Sequence, residues 1–223
     1  MRLVARTNIA VVAALVLLAQ PICSFQSSLS DESVREAYFL GQRHDGSLER
    51  LIEKSTRYFP LPKSGPYISS VMFITPFVTA AQLSSNYIGN YSAQQAELDH
   101  RDAGEEVVKI TVQIQLTESY GQFIVPAKTN SRAGSGSVLI PRPDDFWRDL
   151  QVQIFNGEQI LTNPIYHGHP NYRCGDYGAC VLTGATLTFE FPAETFSADT
   201  ASILVEPPAG GTVKADFDLS RLR

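Results

Sequence analysis

Basic residues are few and scattered in this chain of 223 residues. Eighteen Lys and Arg stand against 23 Asp and Glu, for a formal net charge of −5. No basic stretch occurs. Phosphate contacts need clustered Lys and Arg, so the composition argues against nucleic acid as a partner. It argues equally against adhesion to an anionic lipid surface.

Long hydrophobic runs are missing as well. Residues 9–18 form an unbroken apolar stretch, too short to span a bilayer, which takes about 20 residues. Arg2 and Arg6 precede it and Pro21 follows. A positive start, a short apolar core and a helix breaker make a signal peptide. A buried core helix is the competing explanation, but the run has no polar face. Cleavage after Ser24 leaves a mature chain of about 199 residues, enough for one domain. Cys23 as an acylated first residue is a minor alternative, because Ile22 is a poor neighbour for that processing. The expected location is secreted or periplasmic.

Cysteine is rare: three in the whole chain. With Cys23 in the leader, Cys174 and Cys180 remain as an even pair in an oxidising compartment. Five residues separate them, more than a zinc knuckle uses. They are expected to form a disulfide. Enzyme motifs are absent too. There is no G-x-S-x-G, no H-E-x-x-H, no P-loop, no C-x-x-C and no EF-hand loop. No cofactor is implied, and enzymatic activity has little support, although a triad can assemble from scattered residues. No internal repeat is present.

What is present begins with helices. Ser33-Val34-Arg35-Glu36 has the form of a capping box, with Asp31 and Glu32 as an earlier start. Val34, Ala37, Tyr38 and Gly41 share a face. After a turn at His44-Asp45-Gly46, Leu48, Leu51, Ile52 and Ser55 repeat at helical spacing, up to Pro60 and Pro62. Residues 60–66 form a connector and 67–75 a strand. Residues 80–90 are ambiguous. Ser92-Ala93-Gln94-Gln95 opens a short helix toward His100.

From residue 105 the period changes to two. Val108, Ile110, Val112, Ile114 and Leu116 alternate with polar residues, which predicts a strand with one buried face. Leu150, Val152 and Ile154 repeat the pattern and end in Asn156-Gly157, a type I′ hairpin signal. Leu187, Phe189 and Phe191 follow, then Ala201, Ile203 and Val205, then Val213, Ala215, Phe217 and Leu219. Residues 128–137 read as a flexible surface loop. The fold class is therefore mainly β. It is an antiparallel β-sandwich of about seven strands, immunoglobulin-like or C2-like, with short N-terminal helices; a β-barrel is the alternative. The division is a signal peptide over 1–24, a helical extension over 25–62 and a sandwich domain over 63–223.

The densest candidate site is the stretch 166–180, read as a loop. Tyr166, Tyr172 and Tyr177 with Asn171 and Asp176 combine flat rings with polar groups, as a carbohydrate or peptide surface requires. His167 and His169 are candidates for a metal ion, with His100, Asp176 or Glu158 as a third ligand. Asp144 and Asp145 with Asp99 or Asp102 could form a calcium cup. More plainly, Phe146 or Trp147 plugs the core there, with the acids solvated or paired to Arg142 and Arg148. Glu97, Asp99 and His100 carry acid/base side chains without an evident partner. The function expected is a non-catalytic binding or envelope-associated module whose partner is an envelope protein, a carbohydrate or a peptide. The alternatives are a metal-dependent or hydrolytic enzyme at His167 and His169, and an assembly protein that docks through its N-terminal helices.

Overall fold

The computed structural model describes residues 26–87, 89–124, 139–175 and 178–222. Residues 1–24, read from the sequence as a signal peptide, and residues 128–137, read as a surface loop, lie outside the described residues. In chain order the elements are α1 (Asp31–Gln42), α2 (Ser47–Lys54), β1 (Thr56–Tyr58), β2 (Tyr67–Ile74), α3 (Pro76–Asn86) and α4 (Ala93–Asp102). Then come β3 (Val107–Gln115), β4 (Phe123–Ile124), β5 (Ile140–Pro141), β6 (Gln151–Asn156), β7 (Gln159–Leu161) and β8 (Ile165–Cys174). The last are β9 (Cys180–Pro192), β10 (Thr200–Glu206) and β11 (Val213–Asp218).

Two antiparallel sheets form the body. One has the order β1-β2-β3-β9-β8, the other β11-β10-β6-β7, and β4-β5 is a small separate pair. Inward residues of both sheets share one core. Val112, Ile110 and Leu187 come from the first, Ile203, Ala215 and Phe217 from the second. Phe73 on β2 meets Phe217 on β11 at 5.6 Å between ring centres and Phe196 edge-on at 5.0 Å. The protein is thus mainly β, an antiparallel sandwich, and the described residues contain no closed barrel. Its two large sheets hold nine strands, more than about seven. The two extra are β1, which at three residues is too short to show a period, and β8, whose residues read as a loop; β7 is the return strand expected at Ile160 and Leu161.

The β3 alternation is borne out from Val108 to Ile114: Val108, Ile110, Val112 and Ile114 are completely buried while Lys109, Thr111 and Gln113 are half-buried, and Leu116, past the strand's end, is only partly buried. The hairpin after β6 differs from its sequence signal. Asn156 pairs with Gln159, so the turn residues are Gly157 and Glu158, and Gly157 alone has positive φ, at 60°. That is the pattern of a type II′ turn. Asn156 is withheld from the turn by its side chain, which is buried. Its amide donates to the Thr195 carbonyl and its oxygen accepts the Ala198 N–H.

The helices form a second cluster around Val34, Ala37, Phe77, Ala81 and Ala96. Helix α1 starts at Asp31, capped by Ser30, whose hydroxyl accepts the Ser33 N–H. Ser33 is therefore inside the helix and not its cap. Helix α2 ends at Lys54 with Ser55 as its C-cap, well before Pro60, because β1 takes over there and pairs with β2. The ambiguous segment resolves into α3, capped by Thr75 with Pro76 at its first position, where proline's missing N–H costs nothing. Helix α4 follows the Ser92 cap as expected. Helices therefore occur on both sides of residue 62, and β1 places residues 56–58 in the sheet.

Candidate functional site at the edge hairpin and the helix–sheet cavity

The stretch 166–174 is a strand, not a loop. It is β8, the edge of the five-stranded sheet, paired along its whole length with β9. Its Gly, Pro and Asn imitate turn chemistry, yet an edge strand tolerates all three. Strand alternation then splits the candidate residues between two faces. Tyr166 lies opposite Phe189 and stacks on its ring at 4.9 Å, toward the sandwich interior. His167 and His169 lie opposite Thr188 and Thr186 on the other side, both exposed. A bulge after Asn171 brings Tyr172 opposite the buried Leu182. Tyr172 stays 45% exposed, and a hydrogen bond to Asp144 pushes its phenol above the usual range. Burial raises Tyr166, against the opposing charge of Arg148. Asp176 and Tyr177 lie outside the described residues. Tyr166 and the two histidines therefore do not converge on one surface.

Cys174 and Cys180 close this hairpin as a disulfide, with their Cα atoms 3.9 Å apart. A disulfide fits an oxidising compartment. No described helix is long and apolar enough to cross a membrane.

Asn171 does line a groove of about 590 Å³, with Arg173, Gln113, Gln115 and Thr183. Asn171, Gln113 and Thr183 are tied into one network with Thr186. The Asn171 amide donates to Thr186 Oγ1, Thr186 donates to Gln113 Oε1, and Thr183 donates to the Asn171 carbonyl. Among the described residues no three His, Cys, Asp or Glu side chains gather to hold a metal. His100 and Glu158 do not join His167 and His169. Nor do Asp144 and Asp145 meet Asp99 or Asp102. Asp145 faces Arg148 at 3.5 Å, while Phe146 and Trp147 are both buried in the core.

A different place gathers chemistry. Where α3 and α4 meet the start of β3, a cavity of about 250 Å³ opens. Val34, Ala80, Leu83 and Ala96 give it apolar walls; Asp99, His100 and Glu106 also line it. The sequence left Asp99 and His100 without a partner. The partner of His100 is Glu106, with Nε2 to Oε1 at 3.3 Å. Glu106 Oε1 also accepts the Leu29 N–H at 2.6 Å, which ties the start of the described chain to the strand. The second oxygen, Oε2, is buried and has no hydrogen-bond partner, and neither does the buried hydroxyl of Thr79 on the same lining. Asp99 accepts from Gln95 at 2.7 Å. Burial and a hydrogen bond to Asp99 push the Tyr91 phenol up to about 12. Glu97 is elsewhere, paired with Arg35 at 2.7 Å.

Glu106, Thr79 and Tyr91 are the residues that sequence reasoning missed. For Glu106 a signal existed. It shares the parity of Val108 and Ile110, so an acid stands at a core-side position where the strand begins.

Comparison with protein-family models and with curated proteins gave no match. Among solved structures the chain has a likeness to a flagellar-like filament, Iho670, at 9% identity over 96% of this chain and 95% of that one. The TM-score is 0.22, a likeness too weak to carry fold or function.

Proposed function

We propose that this is an exported, non-catalytic β-sandwich protein that binds a small ligand in the cavity between α3, α4 and β3. The observation that supports this reading is the hollow itself, with apolar walls from Val34, Ala80, Leu83 and Ala96 and the polar side chains of Asp99, His100 and Glu106 on the same lining. Ligand sites combine apolar walls with a few polar groups in this way. The groove beside Asn171 is larger, but its lining lacks comparable apolar walls, and Asn171, Gln113 and Thr183 already bond within one network. Export rests on the leader-like residues 1–24 and agrees with the Cys174–Cys180 disulfide. Docking through the helices has weaker support, because the apolar stripe of α1 is covered by α3 and α4 of the same chain.

The test is a titration followed by amide NMR. Three probes of one shape but different charge are added: 2-phenylethylammonium, 2-phenylethanol and 3-phenylpropionate. At least one should shift resonances of Thr79, Leu83, Ala96 and Val107. Ala80→Leu, which fills the hollow, should abolish those shifts while the remaining spectrum is kept. If no probe perturbs the cavity, the reading is overturned.

A further inference from the structure

We infer that the outward face of β8 binds a divalent transition-metal ion through His167 and His169, as a two-imidazole site open to solvent. The inference is independent of the cavity between α3, α4 and β3. Side chains two apart on a strand point to the same side. The register sets this pair opposite Thr188 and Thr186, on the outer face of the five-stranded sheet, and both residues are exposed. Strand rise puts their Cα atoms about 6.5 Å apart. Two rings leaning toward each other close that span to the separation of adjacent ligands on one ion, about 3 Å for bonds of about 2.0–2.1 Å. Among the described residues neither imidazole has a hydrogen bond or an ion pair. Of the other two histidines, His100 is spent on Glu106 and His44 stands singly between α1 and α2.

The strand beneath the pair is held in place. It is bonded to β9 along its length, the Cys174–Cys180 disulfide closes its far end, and Trp147 sits against Gly168 on the opposite face. Only side-chain rotations are left to order when an ion binds, which lowers the cost of binding. The acid that shares this face on β9 is Glu190, opposite Ile165, and Lys109 holds it at 3.1 Å. The donors are therefore imidazole nitrogens and water. Such a set suits Cu²⁺, Ni²⁺ or Zn²⁺ and not Mg²⁺ or Ca²⁺, with Cu²⁺ bound most tightly.

Trp147 is the single tryptophan and lies across the backbone of Gly168 from the two rings. A paramagnetic ion at the site should quench its emission. Titration of the full mature protein with copper(II) chloride in neutral buffer should give saturable quenching, and excess Zn²⁺, which has a closed d shell, should reverse it. His167→Gln and His169→Gln should each weaken Cu²⁺ binding at least tenfold. The double variant should lose the saturable quenching and, by equilibrium dialysis, bind one equivalent fewer than the unaltered protein. Its urea midpoint should stay where it was, because both side chains are exposed. No Cu²⁺ retained by the unaltered protein, or the same amount retained by the double variant, overturns the inference. A loss confined to one of the two single variants overturns it as well, since the ion would then rest on one imidazole.

Discussion

Trp147 lies against the backbone of Gly168, so closely that a Cβ at position 168 would fall 2.0 Å from the indole Nε1. This contact explains why a glycine stands between His167 and His169. It is the opening that lets the buried indole reach the edge strand, and it owes nothing to metal binding. Gly168→Ala should therefore displace the ring and cost about 1–3 kcal/mol, the usual range for overpacking. Trp147 is the single tryptophan, so its fluorescence reports the site directly. A red-shifted emission and a lower urea midpoint are expected. An unchanged spectrum would show that the indole is not seated there.

The face assignment of β3 has an equally direct test. Val112 is fully buried between the sheets, while Gln113 faces outward and accepts from Thr186. Val112→Asp puts an unpaired charge in the core and should cost several kcal/mol, at the severe end for single changes. Gln113→Asp keeps an acceptor at a half-buried position and should cost about 1 kcal/mol. Equal losses in chemical denaturation would refute the assignment.

These two residues also show what the sequence makes legible. Strands β3, β9, β10 and β11 each bury one face, so their periodicity reports their orientation directly. Strand β8 sits at an edge, where Gly168 serves Trp147 and Pro170 disturbs little, and its composition resembles a loop. Thr75-Pro76 is a good helix start, but the apolar strand running into it obscured the boundary. The cavity was the least legible feature. Its walls come from α1, α3 and α4 as well as the start of β3, and no local pattern records a space between elements. Asp99 and His100 were visible as chemistry; that His100 meets Glu106 is a product of packing.

The Cys174–Cys180 disulfide closes a short hairpin tip, where Gly175 N–H donates to the Ala179 carbonyl at 2.9 Å. Constraint of so small a loop in the unfolded chain is worth about 2 kcal/mol. Reduction should lower stability by that amount or less without unfolding the sandwich, because the cysteines are exposed and outside the core. A non-reducing peptide map should recover the linked peptides. Two freely alkylated thiols would contradict the pairing.

Export predicts a shortened chain. The mature protein purified from its natural compartment should begin between Ser24 and Leu29 by intact-mass measurement. Retention of Met1 there would remove the basis for an exported function.

Tyr91 gives the helical cavity a signature in alkaline solution. Burial first, and the hydrogen bond to Asp99 second, raise its phenol to about 12, whereas an unfolded tyrosine ionises near about 10. Below pH 10 the phenol is protonated in both states, and its contribution to stability is complete. Between about 10 and 12 the unfolded chain releases this proton first and binds fewer protons than the folded one, so stability falls as pH rises. Tyr120, Tyr166 and Tyr172 are also raised and act with the same sign, so the wild type alone does not isolate Tyr91. The comparison needed is with Tyr91→Phe. Urea midpoints measured between pH 9 and 11.5 should decline less steeply in the variant, because one of the delayed protons is gone. Asp99→Asn should give an intermediate slope, since it removes the charged acceptor and leaves the burial. Parallel declines in all three proteins would mean that Tyr91 titrates like an exposed phenol and that its burial beside the cavity is not maintained in solution.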